Sequence, residues 1–229
     1  MREEAGIYGR DTALCNDCGA CAAVCPAKAR VMSGKEMTVE EVMREVRKDY
    51  LFYSNSGGGV TFGGGEPTSA GDFLIGLLEA CRKEAYHTCL DTCGHCRAEL
   101  FEQAVGLSDL LLFDCKHMDP ERHRELTGVD NTLILANLGR ALGSGVPVQI
   151  RIPLMPGLND SEGNIAALAA FLEPYGKSEV DVLPCHAFGR SKYAALSLEA
   201  PVMQAYGPEE LEAALKRFAA NGLKVNIVK

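Results

Sequence analysis

Six short apolar runs alternate with longer helical stretches from about residue 60 to the end of the chain. The runs fall at 60–63, 87–92, 110–116, 146–153, 179–184 and 223–228. The helical stretches fall at 69–85, 97–107, 120–127, 131–143, 161–175 and 208–221. This alternation predicts an α/β fold with a parallel sheet and helical crossovers. The run Leu110-Leu-Leu-Phe113 is apolar at successive positions, which predicts strands covered on both faces, as in an open sheet or barrel.

In folds of this kind the chemistry collects at the carboxyl ends of the strands. Polar residues fall at those ends here. Gly64, Gly65 and Glu66 follow the first run, and Asp91 and Thr92 close the second. Asp114 and Lys116 close the third, Arg151 lies in the fourth, and His186 follows the fifth. Each alone reads equally well as a loop cap or a surface charge; five strand ends together point to one functional rim.

Upstream, Thr38-Val-Glu-Glu41 is a capping-box pattern that predicts a helix to about Tyr53. The segment Ser54-Asn-Ser-Gly-Gly-Gly59 is too glycine-rich for a regular element. A domain boundary is expected near residue 35, between a cysteine-rich segment at 1–35 and the β-α region at 36–229.

Residues 1–30 carry four of the ten cysteines. Cys15-Asn-Asp-Cys18-Gly-Ala-Cys21-Ala-Ala-Val-Cys25-Pro26 has the C-x2-C-x2-C-x3-C-P spacing of bacterial ferredoxins. Close thiolates on a tight turn wrap an iron–sulfur cluster, and soft sulfur suits iron. Zinc is the rival, although its cysteine pairs more often come as two separated hooks. In two-cluster ferredoxins the fourth cysteine of such a run serves the other cluster. No second run is present, so either Cys25 departs from that rule or half of the unit is missing. Cys89, Cys93 and Cys96 have C-x3-C-x2-C spacing. Cys89 falls inside an apparent strand, and the favoured reading of the three is small core or rim residues. A zinc or redox role for Cys93 and Cys96 with His95 is the alternative.

The charge balance is −8, with 24% charged and 47% hydrophobic residues. That excludes a disordered chain and gives no basic surface for nucleic acid. No apolar run reaches the roughly 18–20 residues of a membrane helix, and the amino-terminal residues do not form a secretory signal. A cytoplasmic location is expected, and in that compartment cysteines serve metal or redox roles more often than disulfides. The glycine-rich loop lacks G-x4-G-K-[ST] and G-x-G-x-x-G, which disfavours a nucleotide-phosphate loop.

Several segments together resemble the glycyl-radical-enzyme activating proteins of the radical S-adenosylmethionine superfamily, relatives of the pyruvate formate-lyase activating enzyme. Met37-Thr-Val-Glu-Glu-Val42 follows the cysteine run. Ser56-Gly-Gly-Gly-Val-Thr-Phe-Gly-Gly-Gly-Glu-Pro67 resembles the family's glycine-rich strand ending in G-G-E-P. His87-Thr-Cys-Leu-Asp-Thr92 resembles the next strand, and Phe113-Asp-Cys-Lys-His-Met118 the D-x-K-x-M signature. Arg151-Ile-Pro-Leu-Met-Pro-Gly-Leu-Asn-Asp160 and Leu183-Pro-Cys-His-Ala-Phe-Gly-Arg-Ser-Lys-Tyr193 complete the set.

The resemblance implies a partial (β/α) barrel, here lacking its first strand, with a partial ferredoxin-like amino-terminal insert. It implies two cofactors, a 4Fe–4S cluster and S-adenosylmethionine. One electron from the cluster cleaves the sulfonium to methionine and a 5′-deoxyadenosyl radical, which removes hydrogen from a glycine of a partner enzyme. The implied partners are a glycyl radical enzyme and a flavodoxin or ferredoxin donor, with no nucleic acid and no membrane. Gly64, Gly65, Glu66, Asp91, Thr92, Asp114, Cys115, Lys116, Arg151 and His186 become the implied cofactor-binding residues. Asp114 and Lys116 are the implied catalytic pair. Cys15, Cys18, Cys21 and Cys25 match one half of the family's inserted two-cluster domain and become the implied ligands of a 4Fe–4S cluster that relays electrons.

The family's catalytic C-x3-C-x2-C loop lies before its ferredoxin-like insert and would precede Met1. This chain by itself is therefore expected to be nearly inert, a truncated or split form of such an enzyme, with an iron–sulfur electron carrier as the other alternative.

Overall fold

The computed structural model describes residues 2–4, 7–9, 14–32, 34–185, 193, 198–199 and 205–228. The chain forms two compact units, one from Met1–Thr38 with Gly189–Pro201, the other from Val39–Phe188 with Val202–Lys229.

In the first unit, β1 (Arg2–Glu4) pairs antiparallel with β2 (Ile7–Gly9). A single helical turn, α1 (Ala20–Ala23), carries Cys21.

The second unit opens with α2 (Val39–Val46), a 3-10 turn at Arg47–Asp49, and α3 (Tyr50–Ser56). The helix predicted to end near Tyr53 thus runs three residues further. Ser56 returns its hydroxyl to the Phe52 carbonyl at 2.8 Å, which holds the last turn closed over a serine. There follow β3 (Gly59–Phe62), α4 (Asp72–Lys83), β4 (His87–Thr92), α5 (Ala98–Leu107) and β5 (Leu110–Asp114). Then come α6 (Pro120–Thr127), α7 (Thr132–Gly143), β6 (Val148–Leu154), α8 (Glu162–Leu172), β7 (Glu179–Pro184), α9 (Pro208–Ala220) and β8 (Lys224–Ile227).

The six strands β3 to β8 form one parallel sheet in sequential order. Each crossover steps to the next strand in the same direction. The order has no reversal of the doubly wound kind, and it is that of a (β/α) barrel segment.

Burial shows how the sheet is covered. In β5, Leu111 and Phe113 are inaccessible, whereas Leu110, Leu112 and Asp114 are only partly buried. In β6, Val148, Ile150, Ile152 and Leu154 are buried, while Gln149 is exposed and Arg151 half-buried. Strand side chains alternate between faces, so in β5 and β6 the fully buried residues share one face and the partly buried or exposed ones the other, while in β4 Cys89 is buried on that second face as well. Among the described residues the two faces are thus covered unequally, the helix-packed face more completely than the other. On the second face Asp91, Asp114, Gln149, Arg151 and Asp181 are interspersed with Cys89, Leu110, Leu112, Pro153 and Leu183.

The covered face packs Phe101 of α5, Leu138 of α7, Leu168 of α8 and Phe218 of α9 against the strands. Phe101 meets Phe113 edge-on, with ring centroids 6.1 Å apart. Such a pair adds about 0.5–1.5 kcal/mol beyond its buried area.

Candidate functional site at the strand ends

Glu66 follows β3 and starts a short 3-10 turn, Pro67–Ala70. Its Oε1 accepts from the Thr68 N–H at 3.1 Å, the Thr68 hydroxyl at 2.7 Å and the Thr92 hydroxyl at 2.6 Å. Its Oε2 accepts from the Cys93 N–H at 2.8 Å. Burial pushes the carboxyl up. The Cys93 thiol, the Thr92 hydroxyl, the Cys93 N–H and the Thr68 hydroxyl more than offset this and hold it below the ordinary carboxylate range. One anionic side chain thus joins the loops after β3 and β4.

Thr92 is buried on the helix-covered face, whereas its neighbour Asp91 lies on the polar face. Asp91 pairs with Arg151 at 2.8 Å, reaching across β5 to β6. By register Arg151 stands beside Asp114 on one side and Asp181 on the other. Its guanidinium nevertheless binds the carboxylate two strands away.

Asp114 ends β5. Its Oδ2 accepts from the Lys116 ammonium at 3.3 Å. Its Oδ1 is buried and has no hydrogen-bond partner among the described residues. An orphaned carboxylate oxygen is costly to leave unmet, so this atom suits an incoming donor. Gly64 has φ +120°, and a Cβ added at Gly64 or Gly65 would meet only open space. The backbone there can approach a ligand closely. Hydroxyl and ammonium donors, such as S-adenosylmethionine bears, fit this combination of an open backbone and an unmet acceptor.

Cys115 points the other way. It belongs to the main core, 5% exposed, with its sulfur 3.6 Å from that of Met118, and burial pushes its thiol up to about 12. At the rim it offers backbone only. His186 lies outside the described residues.

Cys15 and Cys25 are half-buried, and Cys18 and Cys21 are exposed. The backbone N–H of Ala29 lies against the Cys25 sulfur and lowers its thiol. Slight burial opposes this, and the N–H groups of Ala27, Arg30 and Lys28 add to it. Soft donors in a ring of amides have the chemistry of a cluster site. Among the described residues, however, no three His, Cys, Asp or Glu side chains are gathered closely enough to hold a metal ion. That also applies to Cys89, Cys93 and Cys96. Cys89 is buried in β4, and burial followed by the nearby Glu66 raises the Cys93 thiol to about 11.

Sequence reasoning missed the buried asparagines beside this rim. Asn137 of α7 donates to the carbonyls of Gly94 and Cys96 at 2.8 and 2.9 Å. Asn131 and Asn159 hold the loop after β5 in the same way. A local sequence signal does not separate such residues from ordinary caps and turns.

A parallel β/α sheet with polar groups at its strand ends has the architecture in which α/β proteins place their ligand sites. The sequence matches the radical SAM superfamily over residues 16–169. It is 42% identical over 204 residues to the isethionate sulfite-lyase activating enzyme of Nitratidesulfovibrio vulgaris, covering 88% of this chain and 66% of that protein. It is 38% identical over 225 residues to the choline trimethylamine-lyase activating enzyme of Oleidesulfovibrio alaskensis, covering 82% of this chain and 73% of that protein. Among solved structures, a domain of pyruvate-formate lyase-activating enzyme from Bacteroides vulgatus superposes with a TM-score of 0.62 at 33% identity. That match covers 75% of this chain and all but 1% of the domain, at 99%.

The chain belongs to the radical SAM superfamily, among the activating enzymes of glycyl radical enzymes. Members of that superfamily use a 4Fe–4S cluster and S-adenosylmethionine. The chain spans about two thirds of the length of the first of these relatives. Among the described residues no helix is long and apolar enough to cross a membrane.

Proposed function

We propose that this chain forms the S-adenosylmethionine-binding part of an activating enzyme that installs a glycyl radical on a partner enzyme. The observation that carries the reading is the unmet Asp114 Oδ1, next to Lys116, on a sheet face that also bears Asp91 and Arg151. The relatives favour it over the electron-carrier alternative.

In this reading Gly64 and Gly65 give the cofactor close access to backbone. Asp114 accepts from its donors, and Lys116 fixes the orientation of Asp114. Glu66 and Thr92 keep the two loops together, Asp91 holds Arg151 over the polar face, and Cys115 contributes backbone. His186 belongs to the same set by its place after β7. Cys15, Cys18, Cys21 and Cys25 are the thiolates for a cluster. That cluster would relay electrons towards the catalytic cluster of the family's C-x3-C-x2-C loop, which supplies the electron for reductive cleavage of S-adenosylmethionine, with a flavodoxin or ferredoxin as the donor in the cytoplasm. The partner is a glycyl radical enzyme of the carbon–sulfur, carbon–nitrogen or dehydratase type.

The test has two stages. The anaerobically reconstituted protein is titrated with S-adenosylmethionine by calorimetry, and Asp114→Asn is expected to weaken binding about tenfold, the worth of one charged hydrogen bond. The full activating enzyme is then mixed with candidate partners and examined for a glycyl radical by electron paramagnetic resonance. Binding that is absent, or unchanged in Asp114→Asn, overturns the site assignment.

A further inference from the structure

The segment that carries Lys116 leaves the sheet after Cys115, whose N–H still donates to the Arg151 carbonyl of β6 at 2.8 Å, and forms no regular element until α6 begins. Three asparagines from separate parts of the chain take over its backbone groups. Asn159, in the turn after β6 and 4% exposed, donates from Nδ2 to the Lys116 carbonyl at 2.9 Å and the Pro153 carbonyl at 2.8 Å. Its Oδ1 accepts from the Met155 N–H at 2.8 Å. Asn131, immediately before α7 and 2% exposed, donates to the His117 carbonyl at 2.9 Å and the Met118 carbonyl at 2.7 Å. Asn164 of α8 accepts from the Met118 N–H at 2.8 Å and donates to the Asn159 carbonyl at 2.7 Å.

Every carbonyl from Lys116 to Met118 therefore ends on an asparagine amide. The choice of side chain follows from chemistry. A primary amide has two donors and an acceptor on a short stem, so it can bridge two carbonyls. Aspartate has the same outline but would turn lone pairs towards both of them. Surface loops usually leave such carbonyls to water; here they are held by buried groups, so the segment is fixed rather than solvated. The fixed backbone also bears the ammonium that reaches Asp114 Oδ2, the partner oxygen of the unmet Oδ1.

We propose that Asn159, together with Asn131 and Asn164, is a positioning residue that holds the Lys116–Met118 backbone so that the Asp114–Lys116 pair is preformed for the cofactor. The role of the pair rests on the function proposed above; the clamp itself rests on the hydrogen bonds.

The experiment is a double-mutant cycle in the reconstituted full activating enzyme, using Asn159→Asp, Lys116→Ala and both together. Calorimetric affinity for S-adenosylmethionine is read alongside amide hydrogen exchange of residues 115–119. Each single variant is expected to weaken binding about tenfold and the double variant no more than about thirtyfold, because one acts through the other. Exchange in 115–119 is expected to rise at least about tenfold in Asn159→Asp, with β4 and residues 148–152 of β6 unchanged. Asn164→Ala, which removes one bond to the segment and one to Asn159, is the second variant and should give a smaller change of the same pattern.

Full additivity near a hundredfold, or unaltered exchange in both asparagine variants, overturns the proposal. If Lys116→Ala binds S-adenosylmethionine like the parent protein, the reading of the rim fails. The clamp is then judged by exchange alone, and unaltered exchange overturns it.

Discussion

The Thr92 hydroxyl donates to Glu66 Oε1 at 2.6 Å, fastening the end of β4 to the loop after β3. Glu66→Gln keeps one carbonyl oxygen and sets an amide donor against its former donors. It is expected to destabilise the protein by about 1–3 kcal/mol at neutral pH, read from urea unfolding. The folded protein holds this carboxylate below its ordinary value of 4.5. Its stabilisation is thus complete above that pH and is lost as the pH falls through the lower folded-state value. The loss of stability on acidification should be shallower in Glu66→Gln, and parallel curves would reject this account.

Asp91 and Arg151 are joined across an intervening strand, with side chains 32% and 21% exposed. Partial solvent access keeps the pair modest. A cycle of Asp91→Asn and Arg151→Gln should give a coupling free energy of about 1 kcal/mol in chemical denaturation. A value near zero would mean that the pair adds nothing to stability.

Gly94 follows the Cys93 N–H that binds Glu66, and it has φ +73°. A Cβ at this position would stand 2.5 Å from Cζ of the inaccessible Phe113 ring. Gly94→Ala combines left-handed strain with overpacking and is expected to cost about 2–4 kcal/mol. A melting temperature within a degree of the parent's would contradict this.

The thiols should separate by reactivity, since the thiolate is the nucleophile. Cys93 is raised to about 11 by burial and then by Glu66, and Cys115 to about 12, chiefly by burial. Both therefore stay protonated at pH 8. In iron-free protein, iodoacetamide should label the exposed Cys18 and Cys21 well before Cys93 and Cys115, as followed by peptide mass spectrometry. Early labelling of Cys93 would show that its surroundings differ from those described.

The strands were legible because apolar runs are local signals. The run at 87–92 is β4 to the residue, and the run at 146–153 is β6 shifted by two residues at its start and one at its end. The polar residues at the strand ends were legible for the same reason: parity and position can be counted. The partners of those residues were not. Arg151 lies 60 residues from Asp91 yet chooses it over Asp114, its neighbour in register. Asn131 reads as a helix cap and Asn159 as a turn residue, while their bonds run to carbonyls 13, 14 and 43 residues away. Cys115 sits between two rim residues in sequence, and only strand alternation turns it into the core.

Among the described residues, β5 and β6 divide their work between alternate positions. Phe113 and Ile150 belong to the main core, whereas Leu112 and Gln149, in register with each other, lie on the face away from the helices, the first half-buried and the second exposed. A scaffold arranged in this way can be re-lined for a different client without being rebuilt. A sheet sandwiched between two helical layers lacks that freedom, because every exchange along its strands would disturb a core.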